Sequence, residues 1–360
     1  MIAFFVTILI VVWLWMSVAY ANEKIEDEAF RLCEQGKDYA GQRDIEKAKK
    51  CFEDALAIQL KVLGEDHQDT ADCLYFLGLI HADLENCEKA IEYIERALAI
   101  RLKVLGEERL SVSNSLDLDF LGLLYKNLED YEKAKEYSER ALAIQLKVLG
   151  EDHPQTADTL NNLGWLYRYL GDIKKSKDHI ERSLMIRLKV LGEEHPDTAS
   201  ALNDLGRTYF TLGKFELTKQ YYERALAIQL KVFGEEHPDT AGTINNIGIV
   251  YSLLKFEEKA KEYYERALAI QLRVLGEGHQ DTARTHMNLG SLYKNLGDYP
   301  KAKDHFERAL PVQLKEHGED HMDTFDTIRD LSSIYNKLGD YQKARECDEL
   351  ILKINSKTHN

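Results

Sequence analysis

One phrase recurs seven times along this 360-residue chain, and its spacing constrains the fold more than any other feature. It reads ALAIQLKVLGEDHPQTA from Ala141 to Ala157, and near copies begin at Ala55, Ala97, Ser183, Ala225, Ala267 and Ala309. The steps are 42, 44, 42, 42, 42 and 42 residues. A fixed period of roughly twenty to fifty residues builds a stack of like modules, because each module buries against its neighbours an apolar face that it cannot cover alone.

Each period holds two helical patterns. TADTLNNLGWLYRYLG sets Leu160, Leu163, Tyr167 and Leu170 on one face at three- and four-residue spacing. IKKSKDHIERSLMIRLKVLG does the same with Ile180, Leu184, Leu188 and Leu191. Gly171-Asp172 separates the two, and Gly192 stands where a helix C-cap is expected. Gly36, Gly78, Gly122, Gly164, Gly206, Gly248 and Gly290 each lie nineteen residues before the repeated alanine or serine. A glycine inside a helix costs about 1 kcal/mol against alanine. Seven in register predict a close approach by the neighbouring helix, with Ala48, Ala90, Ala134, Ala260, Ala302 and Ala344 as the matching small residues.

Leu160-x-x-Leu163-Gly164-x-x-Tyr167, followed by Ser176-x-x-x-Ile180-x-x-Ser183, resembles the tetratricopeptide (TPR) pattern. The usual TPR period is about 34 residues. The words LNNLG and ALAIQLKVLGEDHP, with a following Thr-Ala, are similar to the repeats of kinesin light chains and nephrocystin-3. The resemblance implies an all-α fold, a right-handed TPR superhelix (α-solenoid) of about eight helix-turn-helix repeats after an N-terminal hydrophobic helix. The solenoid is expected over 22–360, with helix pairs near 25–63, 69–105, 111–149, 154–191, 196–233, 238–275, 280–316 and 322–354. The heptad segment of kinesin light chains and the GxxxxGK[ST] motif of P-loop proteins do not occur here, so motor binding and nucleotide hydrolysis are not carried over.

Some copies depart from the pattern. The third repeat has two extra residues in EERLSVSNSLDLDF and puts Arg109 near the place of the connector histidine, which predicts a longer loop or an extended first helix. Pro311 falls within a second helix, where its ring is expected to clash with the Glu307 carbonyl and kink the helix. Asp348 takes a slot held elsewhere by Ile180 or Phe306, so the last helix is expected to face solvent there.

Residues 1–21 carry no charged side chain, which reads as a signal peptide or a membrane anchor. Ala19-Tyr20-Ala21 suits cleavage, whereas the lack of a preceding Lys or Arg and the length of the run suit retention. The expected location is therefore the secretory pathway or a membrane, although the resembling family is mostly cytoplasmic. A net charge of −15 and a pI near 5.3 argue against a nucleic-acid partner, which needs a basic stripe. Five cysteines without a CxxC pair suggest neither a zinc site nor a closed disulfide framework.

His67, His153, His195, His237, His279 and His321 share one connector position. Stacked helices lie about 8–10 Å apart, which keeps successive copies from sharing an ion. Neither a metal nor a cofactor is expected, and no nucleophile elbow, HExxH or glycine-rich phosphate loop occurs. The carboxylates in words such as YERAL read as solvated faces with i,i+4 pairing.

Function is expected on the first-helix face opposite Leu160, Leu163 and Tyr167. With the glycine as position eight, that face holds positions two, five, six, nine and twelve. Its polar part comprises Asn161, Asn162, Trp165 and Arg168, with Asp158, then Asn203 and Arg207, with Asp204, then Asn245 and Asn246, and finally Arg284, Asn288 and Lys294. In proteins resembling this one, asparagines there hold the backbone of an extended peptide and basic residues hold its acidic groups. An amide can donate and accept at once, and charge-assisted bonds are worth about 1.5–3 kcal/mol. Trp165 would add an aromatic platform. The expected activity is non-enzymatic: an adaptor that binds an extended, acidic peptide. Tyr75, Phe76, Leu79, Leu116, Phe120 and Leu123 make the same face apolar in repeats two and three. That patch suits the alternative, a membrane-tethered or self-associating scaffold.

Overall fold

The computed structural model describes residues 25, 27–105 and 112–358, so the expectations for the leader 1–21 and for Arg109 lie outside the described residues. Those residues form sixteen helices and no strand. Helix α1 spans 27–41. The others are α2 (Ile45–Val62), α3 (Gln68–Asp83), α4 (Cys87–Leu105), α5 (Val112–Asn127), α6 (Tyr131–Val148), α7 (Pro154–Tyr169) and α8 (Ile173–Val190), then α9 (Pro196–Thr211), α10 (Phe215–Val232), α11 (Pro238–Leu253), α12 (Glu257–Val274), α13 (Gln280–Asn295), α14 (Tyr299–Glu316), α15 (Met322–Leu338) and α16 (Tyr341–Thr358). The chain divides into two compact units, with the division after Ile186. Among the described residues no helix is long and apolar enough to cross a membrane.

The recurring phrase becomes a connector with three fixed parts. Its glycine adopts a left-handed backbone, with φ of +89° at Gly150 and Gly192, which a Cβ would strain. Its histidine is the N-cap of the next helix: the Asp197 N–H donates to His195 Nδ1 at 3.2 Å, and His67, His153, His237, His279 and His321 accept in the same way. Its threonine donates back to the glycine carbonyl, as in Thr198 to Gly192 at 2.8 Å. The imidazole satisfies an otherwise orphaned helix-terminal N–H, and the phrase is architecture.

Packing follows the small residues. A Cβ on Gly164 would lie 2.3 Å from Ile180 Cγ1 and 3.1 Å from the Ser176 carbonyl oxygen. One on Gly206 would lie 2.5 Å from the Tyr222 ring. The second helix therefore rests directly on the first-helix backbone, as the spacing of the glycines predicts. Leu160, Leu163 and Tyr167 join Ala157 and Leu142 in one buried cluster. In the second unit Ile244, Ile247 and Tyr251 continue into Leu289, Leu292 and Tyr293.

The carboxylates of the YERAL words depart from expectation. Several accept from a tyrosine of the following first helix, as when Tyr293 donates to Glu265 at 3.0 Å, Tyr335 to Glu307 at 2.6 Å, and Tyr167 to Glu139. These glutamates join one repeat to the next, because the tyrosine hydroxyl needs an acceptor at the edge of the core. The adjoining arginines pair with connector glutamates, as in Arg266 with Glu235 at 2.9 Å.

The irregular copies resolve individually. Helix α5 is described from Val112, and 106–111, on which the choice between a longer loop and an extended first helix depends, lie outside the described residues. Helix α14 runs on through Pro311 to Glu316, so the proline does not end it. Asp348 is exposed and accepts from Ser332 Oγ at 2.6 Å.

A histidine pair joins α13 to α14, with His286 Nδ1 2.8 Å from His305 Nδ1. One nitrogen must donate and the other accept. Burial, with the charges of His305 and Arg308 alongside, pushes the His286 imidazole down to about 4, and burial also lowers His305. The unfolded chain therefore takes up the proton first. The stabilisation is complete above the ordinary histidine value of 6.5 and is lost as pH falls from there toward 4. Between those limits wild type is expected to lose about 2 kcal/mol more than a His286→Gln variant. Parallel urea titrations check this, and equal losses in the two proteins would remove the histidine from the account.

Candidate peptide-binding face

In the second unit, α9, α11 and α13 expose one side of each first helix, while the leucine, glycine and tyrosine positions are buried. Between them lies an open concavity of about 530 Å³ whose lining includes Asn203, Arg207, Asn246 and Arg284. A neighbouring concavity of about 350 Å³ shares Arg284 and includes Asn288. Six of the residues singled out in the sequence, Asp204 among them, are thus brought together by three first helices.

Their side chains are not equally available. Arg207 is exposed and Asn246 half-buried, and neither side chain makes a hydrogen bond or ion pair among the described residues. Arg284 is exposed but paired to Asp281 at 2.6 Å. Asn203 Nδ2 donates to Thr243 Oγ1 at 2.9 Å.

Three expectations need correction. Asn245 is fully buried, and its Oδ1 accepts from Thr285 Oγ1 at 3.2 Å and from Asn288 Nδ2 at 3.0 Å. It is a buttress between α11 and α13, because position five turns toward the next first helix. At the same register burial pushes the Asp119 carboxyl up to about 6, against hydrogen bonds from Thr159 and Gln145. Lys294 is tied to Asp330 of α15 at 2.5 Å, so its charge is already matched. Trp165 is no bare platform: Tyr169 stacks on it at 4.0 Å, Tyr131 meets it edge-on and the Lys126 ammonium lies 4.9 Å from its ring centre.

Trp165 shares α7 with Asn161, Asn162 and Arg168, all half-buried, and the Arg168 guanidinium lies over the Tyr169 ring at 5.7 Å. This is a separate patch, in the first unit. The apolar residues there are also less open than the sequence suggests. Phe76 stacks on Phe52 at 5.0 Å, Tyr75 meets Phe120 edge-on, and of the six only Leu116 is exposed, at 37%.

The charge around the larger concavity is mixed. Asp197, Asp204, Asp239 and Asp281 line it beside Arg207 and Arg284. Four carboxylates against two guanidiniums do not favour a wholly acidic ligand. Gln229 and Gln313, from second helices, also line the two concavities. Reading only first helices passed over them. The available signal was a glutamine four residues after the repeated alanine at Gln59, Gln145, Gln229, Gln271 and Gln313, on an otherwise apolar face. Among the described residues no three His, Cys, Asp or Glu side chains are grouped to hold a metal ion.

The family model described as tetratricopeptide repeat matches residues 29–103, 112–188, 167–231, 210–273, 239–315 and 281–357. No curated protein matches the chain. Among solved structures it is similar to BtubC (BKLC) from P. vanneervenii, at 24% identity, covering 65% of this chain and 92% of that one, with a TM-score of 0.53. It is also similar to a putative kinesin light chain with nearly identical TPR-like repeats from Podosopora anserina, at 25% identity, covering 57% and 98%, with a TM-score of 0.49. A third is a Rap protein complexed with Competence and Sporulation Factor, at 15% identity, covering 94% and 98%, with a TM-score of 0.55.

Proposed function

Because this chain belongs to the tetratricopeptide repeat family, we propose that it is a non-enzymatic adaptor that holds an extended peptide of a partner protein across α9, α11 and α13. The observation that carries this is the pairing of Arg207 and Asn246. Both line one concavity, and neither is engaged elsewhere in the described residues. A free guanidinium suits a ligand carboxylate, and a free amide on the next first helix suits a peptide unit. Asn203, Arg284 and Asn288 extend the same face, while Asn245 holds α11 and α13 in place. The aspartates around the arginines narrow the acidic character of the ligand to the group at Arg207, with donor-bearing residues beside it. The Rap protein that shares this fold is complexed with Competence and Sporulation Factor, a precedent for a ligand on such an architecture.

A random peptide library displayed on phage and selected on the full-length chain tests the reading. Wild type is expected to enrich a peptide motif. Asn246→Ala with Arg207→Ala is expected to weaken the selected peptide at least about 100-fold, two polar contacts of about 1.5 kcal/mol each, with the helical circular dichroism unchanged. Unaltered binding by the double variant would remove the assignment of this face.

A further inference from the structure

The first helices of consecutive repeats touch at one recurring register, position five of one facing position three of the next. Thr159 donates there to Asp119 at 2.8 Å, Asn203 to Thr243 at 2.9 Å, and Thr285 to Asn245 at 3.2 Å. In the first copy the same two places hold cysteines. Cys33 Sγ of α1 lies 2.8 Å from Cys73 Sγ of α3, and both thiols are free. A disulfide needs the sulfurs at about 2.05 Å, so a small closure separates this contact from a covalent bond. The pair is forty residues apart in the chain, which hides it from a search for a local CxxC spacing.

The two sulfurs are not equivalent. Gln59 Nε2 of α2 donates toward Cys33 Sγ at 3.9 Å, in the register where Gln145 Nε2 donates to Asp119 at 2.5 Å. Lys37 follows Cys33 by one turn of α1. Cys33 is therefore the acceptor and Cys73 the S–H donor. That hydrogen bond, with the Lys37 charge, holds the Cys33 thiol below the usual thiol value against burial. The same bond, with burial, pushes Cys73 up, and burial pushes up Cys51 and Cys347. Cys33 is half-buried and Cys73 fully buried. Both line an open concavity of about 120 Å³ with Phe30, Lys37, Gln59 and Phe76. We infer that Cys33 and Cys73 form a site of thiol–disulfide exchange, at which Cys33 attacks a small disulfide such as oxidised glutathione and Cys73 resolves the product. The Cys33 thiolate bonds to one sulfur, the S–S bond of the reagent breaks, and the departing thiolate is protonated. Cys73 then gives up its proton, attacks Cys33 Sγ and releases the second small thiol. The cysteine pair loses two electrons, which reduce one small disulfide to two thiols. The product ties α1 covalently to α3 where other repeats have a hydrogen bond.

The test incubates the full-length chain, reduced and freed of reductant, with oxidised glutathione. Free thiols are expected to fall from five to three, with Cys33 and Cys73 joined in the peptide mass spectrum. Dithiothreitol is expected to restore all five. In Cys73→Ser, whose hydroxyl still donates, Cys33 is expected to retain one glutathione as a mixed disulfide. In Cys33→Ser, Cys73 is expected to take up glutathione at least about tenfold more slowly, because it is protonated and buried. Oxidation in urea is the control, since pairing that depends on the fold then gives way to disulfides spread over the five cysteines. Five thiols remaining in the folded chain, folded-state pairing as indiscriminate as that in urea, or equal uptake by the two serine variants overturns the site.

Discussion

Replacing Gly164 by valine is expected to destabilise the first unit by about 3 kcal/mol, the upper range for overfilling a packed interior. The new Cβ would sit 2.3 Å from Ile180 Cγ1, and Ile180 is fully buried, so it has no free space into which to turn. Nor can the helices part locally, because the Ser176 carbonyl oxygen lies 3.1 Å from the same point and belongs to the backbone of α8. Gly242 provides the control. It too lies within a helix, in α11, but a Cβ there would meet nothing within 4 Å, and its φ is not in the left-handed region. Gly242→Ala should therefore show only the helix-propensity gain, about 1 kcal/mol in favour of folding. Denaturant titration of the two variants gives opposite signs if close approach is the reason for the registered glycines. If Gly164→Ala and Gly242→Ala are both stabilising, the close-approach explanation is lost.

The repeat made the class of fold readable because its cause is local and periodic. A helix pair that places leucine, glycine and tyrosine on one face can bury them only against a copy of itself, and the sequence contains seven copies. The site was less readable, for a geometric reason. Position counting on one helix fixes which way a side chain leaves that helix but not what the next helix places opposite it. Asn245 and Asn246 are neighbours in sequence and both are asparagine. Yet the first meets Thr285 and Asn288 of α13 and is buried, while the second opens into the concavity. Lys294 looks like a free cation until Asp330 appears beside it from α15. The glutamines were overlooked for the complementary reason, since a polar residue on a buried second-helix face declares itself only once its partner atoms, or their absence, are known.

Arg101→Gln should cost the first unit about 3–5 kcal/mol, the usual penalty for leaving one member of a buried ion pair behind. Arg101 is 4% exposed, donates to Asp117, which is fully buried, and reaches Asp72 at 2.6 Å. Burial already pushes the Asp117 carboxyl up to about 6 despite the opposing guanidinium. Without that guanidinium the carboxylate is stranded on α5. The chain itself supplies the repair. Glutamine occupies the register of Arg101 at Gln59, Gln145, Gln229, Gln271 and Gln313, and threonine occupies that of Asp117 at Thr159, Thr243, Thr285 and Thr327. Arg101→Gln with Asp117→Thr therefore converts this copy to the combination that four others carry, Gln145 with Thr159, Gln229 with Thr243, Gln271 with Thr285 and Gln313 with Thr327, and it discharges the site at both ends. The double variant is expected to regain most of the lost stability or to exceed wild type, because Arg101 Nε and Asp117 Oδ2 are buried without hydrogen-bond partners even in the intact pair. Urea midpoints for wild type, both single variants and the double variant close the cycle. Additive losses would mean that the two residues act independently, against the ion-pair account. Recovery would mean that the departure at this repeat is a matched exchange of charges whose removal the fold does not resist.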